Sequence, residues 1–276
     1  MSYTKWQAFK PLPALQHLVE YYWVFEAGSD GEVTRPQIVL PSPTPALFFG
    51  YTTAEAFPGQ EALLGGTDEA WLCRPVCYQR LELQCAPGTG LLGITFLPTG
   101  FYQLFGLSMA QAYAAGPALA GRAGAFVRAL AAALAGAPTD TARAGAAEAL
   151  LLAETGPGEW PTALETLAAG VLQRHGQVSV DALATEAHLC RRQFERRFRE
   201  VVGVAPKLFA EISRFRYVVE QLNAQPLVDW QDVTHECGYY DQAHLIREFR
   251  RFTGETPASF LQQGQHLAPV AFEESE

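Results

Sequence analysis

Apolar residues recur at helical spacing in two stretches of the C-terminal half, and the two stretches match each other position by position. The first stretch runs Leu183-Ala184-Thr185-Glu186-Ala187-His188-Leu189 and continues with Phe194, Phe198, Gly203, Pro206 and Phe209. The second runs Val233-Thr234-His235-Glu236-Cys237-Gly238-Tyr239 and continues with Leu245, Phe249, Gly254, Pro257 and Phe260. The offset is 50 residues before the turn and 51 residues from Phe194 onward, so one copy has one extra residue in its turn. This pattern predicts two helix-turn-helix units.

Each unit has an apolar face that predicts how its helices pack. In the first unit we expect a short helix over Val180–Ala187, a turn at His188-Leu189 and a second helix over Arg191–Val201. Because Phe194 and Phe198 are four residues apart, they share one helix face and should pack against Leu183, Ala187 and Leu189. In the second unit the inward residues are Leu245, Phe249 and Phe252, and a long helix over about Leu208–Leu222 should join the units.

The N-terminal half has a different pattern, in which short apolar runs alternate with turn residues. The predicted strands are Tyr21–Phe25, Gln37–Leu40, Ala46–Tyr51, Tyr78–Cys85 and Leu91–Leu97. Short strands at this spacing indicate a small barrel or sandwich. From Thr99 onward the spacing becomes helical, with helices predicted over Phe101–Phe105, Gly121–Leu134 and Thr139–Leu152.

These elements predict an α+β protein of several domains. Residues 1–110 should form a β-barrel domain, and residues 111–161 a helical linker whose Ala/Leu-rich faces could support dimerisation. Residues 162–263 should form an all-α domain of two helix-turn-helix units joined by a central helix, and residues 264–276 an acidic tail. We expect the hinge before the all-α domain in the Gly/Pro-rich segment 156–161, since glycine and proline interrupt regular structure.

Composition changes this picture at one place only. The net charge is −9, which argues against binding nucleic acid over the whole surface, but five arginines fall within Arg191–Arg199. Local charge, rather than net charge, contacts phosphate. No apolar stretch has the length of a membrane span, and five cysteines without a signal sequence indicate reduced thiols, so we expect a cytoplasmic protein.

Two motifs could suggest other chemistry. Gly88-Thr89-Gly90-Leu91-Leu92-Gly93 matches a dinucleotide-binding fingerprint, but the residues that follow it predict a strand where that chemistry needs a helix N-terminus. A β-hairpin turn accounts for it better, and we expect no cofactor. Cys73, Cys77 and Cys85 share one strand parity, so a zinc or redox role stays open beside the commoner role of cysteine as a small apolar side chain.

The outward faces of the two second helices carry the candidate DNA-binding residues. Arginine can bond the N7 and O6 edge of guanine, glutamate can accept from cytosine N4, and small apolar groups fit the thymine methyl. The predicted base-contacting residues are Arg192, Gln193, Glu195 and Arg196 in the first unit and Gln242, Ala243, His244, Ile246 and Arg247 in the second. The predicted phosphate-contacting residues are Arg191, Arg199, Lys207 and Arg250.

The alternative to DNA binding is that the arginine-rich face of the helix at Arg191–Arg199 is an ordinary solvent-exposed surface. It does not account for a matched turn, matched aromatic residues and a matched Gly-x-x-Pro exit in two copies. The helix starts differ between the copies, because Asp241 is a good N-cap whereas Cys190 is a poor one. Gln193, at the third helical position, could compensate by bonding back to the backbone.

The C-terminal residues resemble the AraC/XylS family of transcriptional regulators. The most specific stretch is Gly238-Tyr239-Tyr240-Asp241-Gln242-Ala243-His244-Leu245-Ile246-Arg247-Glu248-Phe249, followed by Gly254 and Pro257. Gly203-Val204-Ala205-Pro206-Lys207 and Arg214-Phe215-Arg216 fit the first unit and the joining helix, whereas His188 and Cys190 replace the family's usual glycine and serine. The N-terminal half is similar to a cupin-like domain of unknown function, in Val39-Leu40-Pro41 and Gly93-Ile94-Thr95-Phe96-Leu97-Pro98. In the family, such a domain would bind an effector or a partner subunit.

The sequence therefore predicts a DNA-binding transcription regulator and no enzyme. The candidate partners are double-stranded DNA, RNA polymerase, a small-molecule effector and a second copy of the chain. We expect no membrane association. A second hypothesis is a small-molecule-binding protein whose C-terminal half mediates association only. An enzyme is the least favoured class, because no His/Glu metal-ligand set is visible.

Overall fold

A computed structural model describes residues 5–28, 37–52, 70–73, 81–115, 119–155, 162–224 and 228–262. The N-terminal half contains seven described strands: β1 Lys5–Phe9, β2 Val19–Glu26, β3 Gln37–Val39, β4 Ala46–Gly50, β5 Ala70–Cys73, β6 Leu81–Leu83 and β7 Gly90–Phe96. β1, β2, β7, β4 and β5 form an antiparallel sheet in that order, and β3 pairs with β6 in a separate sheet. A short 3-10 helix, Pro13–Leu15, connects β1 to β2.

The five-stranded sheet has a core on each face, as the alternation of side chains along β2 requires. Tyr22 and Val24 belong to a large apolar cluster on one face, whereas Trp23 and Phe25 belong to a second cluster that also contains Phe48 and the buried Cys85. The α+β class is confirmed. Barrel closure is not found among the described strands, because β3 and β6 pair only with each other and leave the large sheet open at β1 and β5.

Four helices follow the sheet: α1 Gly100–Phe105, α2 Met109–Ala115, α3 Gly121–Ala135 and α4 Asp140–Glu154. Their apolar faces join the large cluster beside β2, β4 and β7, for example through Phe101, Phe126 and Leu151. The helices predicted as a linker therefore pack against the sheet. The predicted hinge at 156–161 and the acidic tail at 264–276 lie outside the described residues.

The C-terminal part is all-α, with α5 Thr162–Gln173, α6 Val180–Glu186, α7 Arg191–Val202, α8 Pro206–Ala224, α9 Trp230–Glu236, α10 Gln242–Thr253 and α11 Pro257–Gln262. Helices α6 and α7 form the first helix-turn-helix unit, α9 and α10 the second, and α8 joins them. Phe194 and Phe198 are fully buried with Leu183, and Leu245, Phe249 and Phe252 are buried in the second unit, as predicted.

Several described residues of the N-terminal half touch the C-terminal half. In α2, Tyr113 and Met109 lie so close to Gly203 that a Cβ added there would be 2.8 Å from the Tyr113 ring and 3.0 Å from Met109 Cβ. After β3, Leu40 is buried in the cluster formed by α8 and the second unit. Arg216 of α8 also donates a long hydrogen bond of 3.5 Å to the Pro41 carbonyl oxygen. The N-terminal half thus contacts the exit of α7 and the central helix.

The glycine-rich segment 88–93 differs from the prediction in one respect. It forms a turn with Gly88 at φ +77° and continues as β7, so no helix follows the glycines. The turn is not a hairpin, however, because β6 pairs with β3 whereas β7 pairs with β2 and β4. Sequence spacing alone could not distinguish a hairpin from a connection between two sheets.

A buried ion pair attaches α10 to the central helix. Arg214 of α8 bonds both carboxylate oxygens of Glu248, at 3.1 and 2.6 Å, and the Tyr239 hydroxyl donates to the same carboxylate at 2.7 Å. The side chains of Arg214 and Glu248 are 17% and 7% exposed. Burial lowers the pKa of Arg214, but the hydrogen bonds and charge of Glu248 outweigh it and raise that pKa above its ordinary value. The guanidinium therefore stays charged and holds α10 in place.

We expect Glu248→Ala to lower the free energy of unfolding by about 3–5 kcal/mol, because it leaves the Arg214 charge buried without its partner. Asp181→Ala is the control, since it removes an exposed ion pair to Arg191 that should contribute at most about 1 kcal/mol. Urea denaturation followed by helical circular dichroism measures both. Equal losses in the two variants would contradict a special role for the buried pair.

Candidate nucleic-acid interface

The second helices of the two units, α7 and α10, are the predicted recognition helices, and turns of the same backbone geometry position them. Gly238, after α9, has φ +70°, and His188, at the matching place after α6, has φ +54°. The left-handed conformation suits glycine, whereas for a residue with a Cβ it costs roughly 1–2 kcal/mol. The first turn therefore keeps the geometry of the second in spite of its histidine, at some cost in stability.

Both recognition helices start from capped N-termini. The Asp241 carboxylate accepts the His244 N–H at 2.6 Å, as expected of a good N-cap. At the start of α7, the Cys190 N–H donates to Gln193 Oε1 at 3.4 Å, so the predicted compensation by Gln193 is present as a long hydrogen bond. The capping residues fix where each outward face begins.

The outward face of α7 brings the predicted residues of the first unit together. Arg192, Gln193, Glu195, Arg196 and Arg199 line one surface depression with Cys190. The three arginines of this depression are exposed, and among the described residues none of the three has an ion-pair partner. Unpaired exposed guanidinium groups are free to bond phosphate or guanine without first breaking an internal contact.

Arg191 and Glu195 of α7 are already engaged with each other. Arg191 pairs with Asp181 of α6 at 3.1 Å and with Glu195 at 3.0 Å. Both carboxylates raise the pKa of Arg191, the Glu195 hydrogen bond most. DNA phosphate at this place would have to compete with two carboxylates for Arg191, and a cytosine amine would compete with Arg191 for Glu195.

The outward face of α10 is less charged than that of α7. Gln242, Ala243, Arg247 and Arg250 are exposed and Ile246 is half-buried. His244 packs its ring edge-on against Tyr239, with centroids 5.2 Å apart, so it lies at the border between the outward face and the buried ion pair. The predicted residues of the second unit therefore share one face, with His244 at its edge.

Lys207 lies at the start of α8, away from both outward faces in sequence. Its side chain is 76% exposed, and its ammonium group is 3.9 Å from Glu211. Glu211 also receives a closer bond of 2.8 Å from Arg251. The weak contact leaves the predicted phosphate role of Lys207 open.

Tyr240 is a residue of this surface that the sequence analysis did not single out. The offset between the units changes from 50 to 51 between Tyr239 and Asp241, so Tyr240 is the extra residue of the second turn. It is 93% exposed, the most exposed large hydrophobic residue in the described part of the chain. The change in offset was the signal that could have identified it.

The candidate metal and redox chemistry concerns the cysteines and the acidic and histidine side chains. No group of three or more His, Cys, Asp or Glu side chains among them is placed to hold a metal ion. Burial raises the pKa of the Cys85 thiol to about 12, which disfavours a reactive thiolate there. Cys77 lies outside the described residues, so the question about the three N-terminal cysteines stays open. No helix in the described ranges is long and apolar enough to cross a membrane.

Comparison with known protein families gives two matches. Residues 183–263 match a family described as a helix-turn-helix domain. Residues 7–114 match a family described as a domain of unknown function, DUF6597. None of the curated proteins matches the chain significantly.

Among solved structures, the chain is similar to the DNA-binding domain of AdpA, described as a global transcriptional factor in complex with a target DNA. The identity is 31% over 36% of this chain and 90% of that domain, with a TM-score of 0.34. ToxT from Vibrio cholerae O395 matches 96% of this chain and 99% of its own at 9% identity, with a TM-score of 0.39. An unsaturated fatty acid-bound ToxT from V. cholerae strain SCE256 matches 99% of this chain and 98% of its own length at 10% identity, with a TM-score of 0.38.

Proposed function

This chain belongs to the AraC/XylS family of transcriptional regulators, and we propose that it binds specific DNA sequences through α7 and α10 in two successive major grooves. The observation that carries this proposal is the pair of matched scaffolds, each of which presents exposed arginines that have no ion-pair partner in the described part of the chain. Two recognition helices on one connecting helix suit grooves about 34 Å apart on one side of the duplex.

The two faces should prefer different bases. Arg192 and Arg196 suit guanine, and Glu195 suits cytosine, so α7 favours G·C pairs. Gln242 suits adenine, and Ala243 and Ile246 suit thymine methyl groups, so α10 favours A·T pairs, with Arg247 available for one guanine. Gln193 and His244 flank these faces and contribute at their edges. Phosphates would be held by Arg191, Arg199, Lys207 and Arg250.

We propose that the N-terminal domain, residues 1–110, is a cupin-like sensor domain, attached through helices of 111–161 to the DNA-binding domain at 162–263. The contacts of Tyr113 with Gly203 and of Leu40 with the α8 cluster support this proposal. Gly254, the equivalent of Gly203 at the exit of α10, has no atom of the described residues within 4 Å of an added Cβ. An effector bound in the N-terminal domain would therefore act directly on the exit of α7.

Arg196→Ala and Arg199→Ala should weaken DNA binding in different ways. We expect Arg196→Ala to remove about 1–3 kcal/mol of discrimination at particular base positions. Arg199→Ala should weaken binding to all sequences and reduce the salt slope of log K by about 1. Selection of bound sequences from random duplexes, followed by titration at several salt concentrations, measures both effects.

Arg122→Ala is the control for these two variants, since Arg122 is an exposed arginine of α3 that pairs with Glu154. It should change neither the selected sequence nor the salt slope. If Arg196→Ala lowers affinity equally for every sequence, Arg196 is not a base-contacting residue. If the unaltered protein selects no sequence, the proposed function is wrong.

We also propose that the Tyr240 hydroxyl bonds a phosphate beside the groove that α10 enters. Tyrosine is among the side chains that contact phosphate, and Tyr240 is 93% exposed, so almost all of its surface is available. Tyr240→Phe and Tyr240→Ala should both weaken binding by roughly 2–10-fold, the effect of one lost hydrogen bond. The salt slope should stay unchanged, because a neutral residue displaces no counterion. Full affinity of Tyr240→Phe would show that the hydroxyl contacts no DNA.

A further inference from the structure

The segment His175–Gln177, which links α5 to α6, contains an unusual turn. His175 and Gly176 both have positive φ values, 48° and 72°. Their N–H groups donate to the carbonyl oxygens of Leu172 and Val171, at 2.9 and 2.8 Å, and so close the end of α5. The consecutive left-handed residues direct the chain toward the central helix α8. We call this segment the bridge.

The bridge is in contact with α8 at two points. A Cβ on Gly176 would lie 2.0 Å from the Ala210 carbonyl oxygen and 2.9 Å from the backbone nitrogen of Arg214, so only glycine fits there. The ring of His175 stacks on Tyr217, with the centroids 3.7 Å apart and the planes 13° from parallel. The entry into the first helix-turn-helix unit is thus fixed against the helix that continues into the second.

Gln177 extends the bridge to the second unit itself. Its Nε2 donates a hydrogen bond of 2.8 Å to the Glu236 carbonyl oxygen, across 59 residues of sequence. Its side chain covers Gly238, where an added Cβ would be 2.6 Å from Gln177 Oε1. Glu236 ends α9, and Gly238 is the left-handed residue of the turn that leads into α10.

The two units are therefore connected twice, once through α8 and once through Gln177. If a single helix connected the two units, only the packing of that helix would resist rotation of one unit relative to the other. A second contact that lies off the helix restrains that rotation directly, since both attachment points must then move together. The far end of the second contact is the turn before α10, so it acts on the direction of that recognition helix.

We infer that the bridge, through Gln177, sets the orientation of α10 relative to α7 and so determines which spacing between two half-sites the protein accepts. This inference rests on the proposed function. Gln177 is a positioning residue, because it acts through the second turn and contacts no base. With this contact in place, the protein should bind a duplex whose two half-sites have one fixed separation.

The test uses the full chain and duplexes that carry the selected half-sites with the spacing changed by one or two base pairs in either direction. The unaltered protein should lose affinity at every changed spacing. Gln177→Ala should reduce that discrimination by roughly 2–10-fold, the effect of one neutral hydrogen bond. Gln177→Glu, which cannot donate to the carbonyl, should do the same, and affinity for a single half-site should not change.

Gln173→Ala is the matched control, since Gln173 is an exposed glutamine at the end of α5 and should leave the spacing profile unchanged. If Gln177→Ala and Gln177→Glu keep the profile of the unaltered protein, the inference is wrong while the proposed function stands. If the unaltered protein selects no half-sites at all, both are wrong. Uniform weakening at all spacings would show a role in stability alone and would also overturn the inference.

Discussion

The DNA-binding half depends on one helix that belongs to two hydrophobic cores. On α8, Phe209 and Ala210 are buried with the side chains of the first unit. Farther along it, Ile212, Phe215 and Val219 are buried with those of the second. Because neither unit can bury its apolar face without α8, the two recognition helices are held at one separation. The Arg214–Glu248 pair strengthens this arrangement on the side of α10.

Much of this arrangement could be predicted from the sequence, because the helical spacing of apolar residues occurs twice with the same phase. The predicted first helix, Val180–Ala187, differs from α6 by one residue. β1 was not predicted, since its side chains are exposed or half-buried and an edge strand needs little apolar surface. The burial of Glu248 was not predicted either, because its partner Arg214 lies 34 residues away in the sequence. Contacts between distant residues leave no local pattern.

The two copies have diverged around a shared scaffold. His188 and Gly238 take the same left-handed geometry, but the second turn holds one more residue, the exposed Tyr240. The exits diverge as well, because Gly203 is covered by α2 whereas no described atom lies within 4 Å of a Cβ added at Gly254. The N-terminal half touches the exit of the first unit through α2 and the cluster of α8 and the second unit through Leu40. The two matched units therefore present outward faces with different chemistry and different neighbours.

Hydroxyl-radical footprinting of the full chain on its selected duplex tests the central claim most directly. The account predicts two blocks of protected sugars on one face of the DNA, about 10 base pairs apart, with G·C pairs preferred under one block and A·T pairs under the other. One protected block, or protection without sequence preference, would contradict the claim that α7 and α10 bind two successive major grooves.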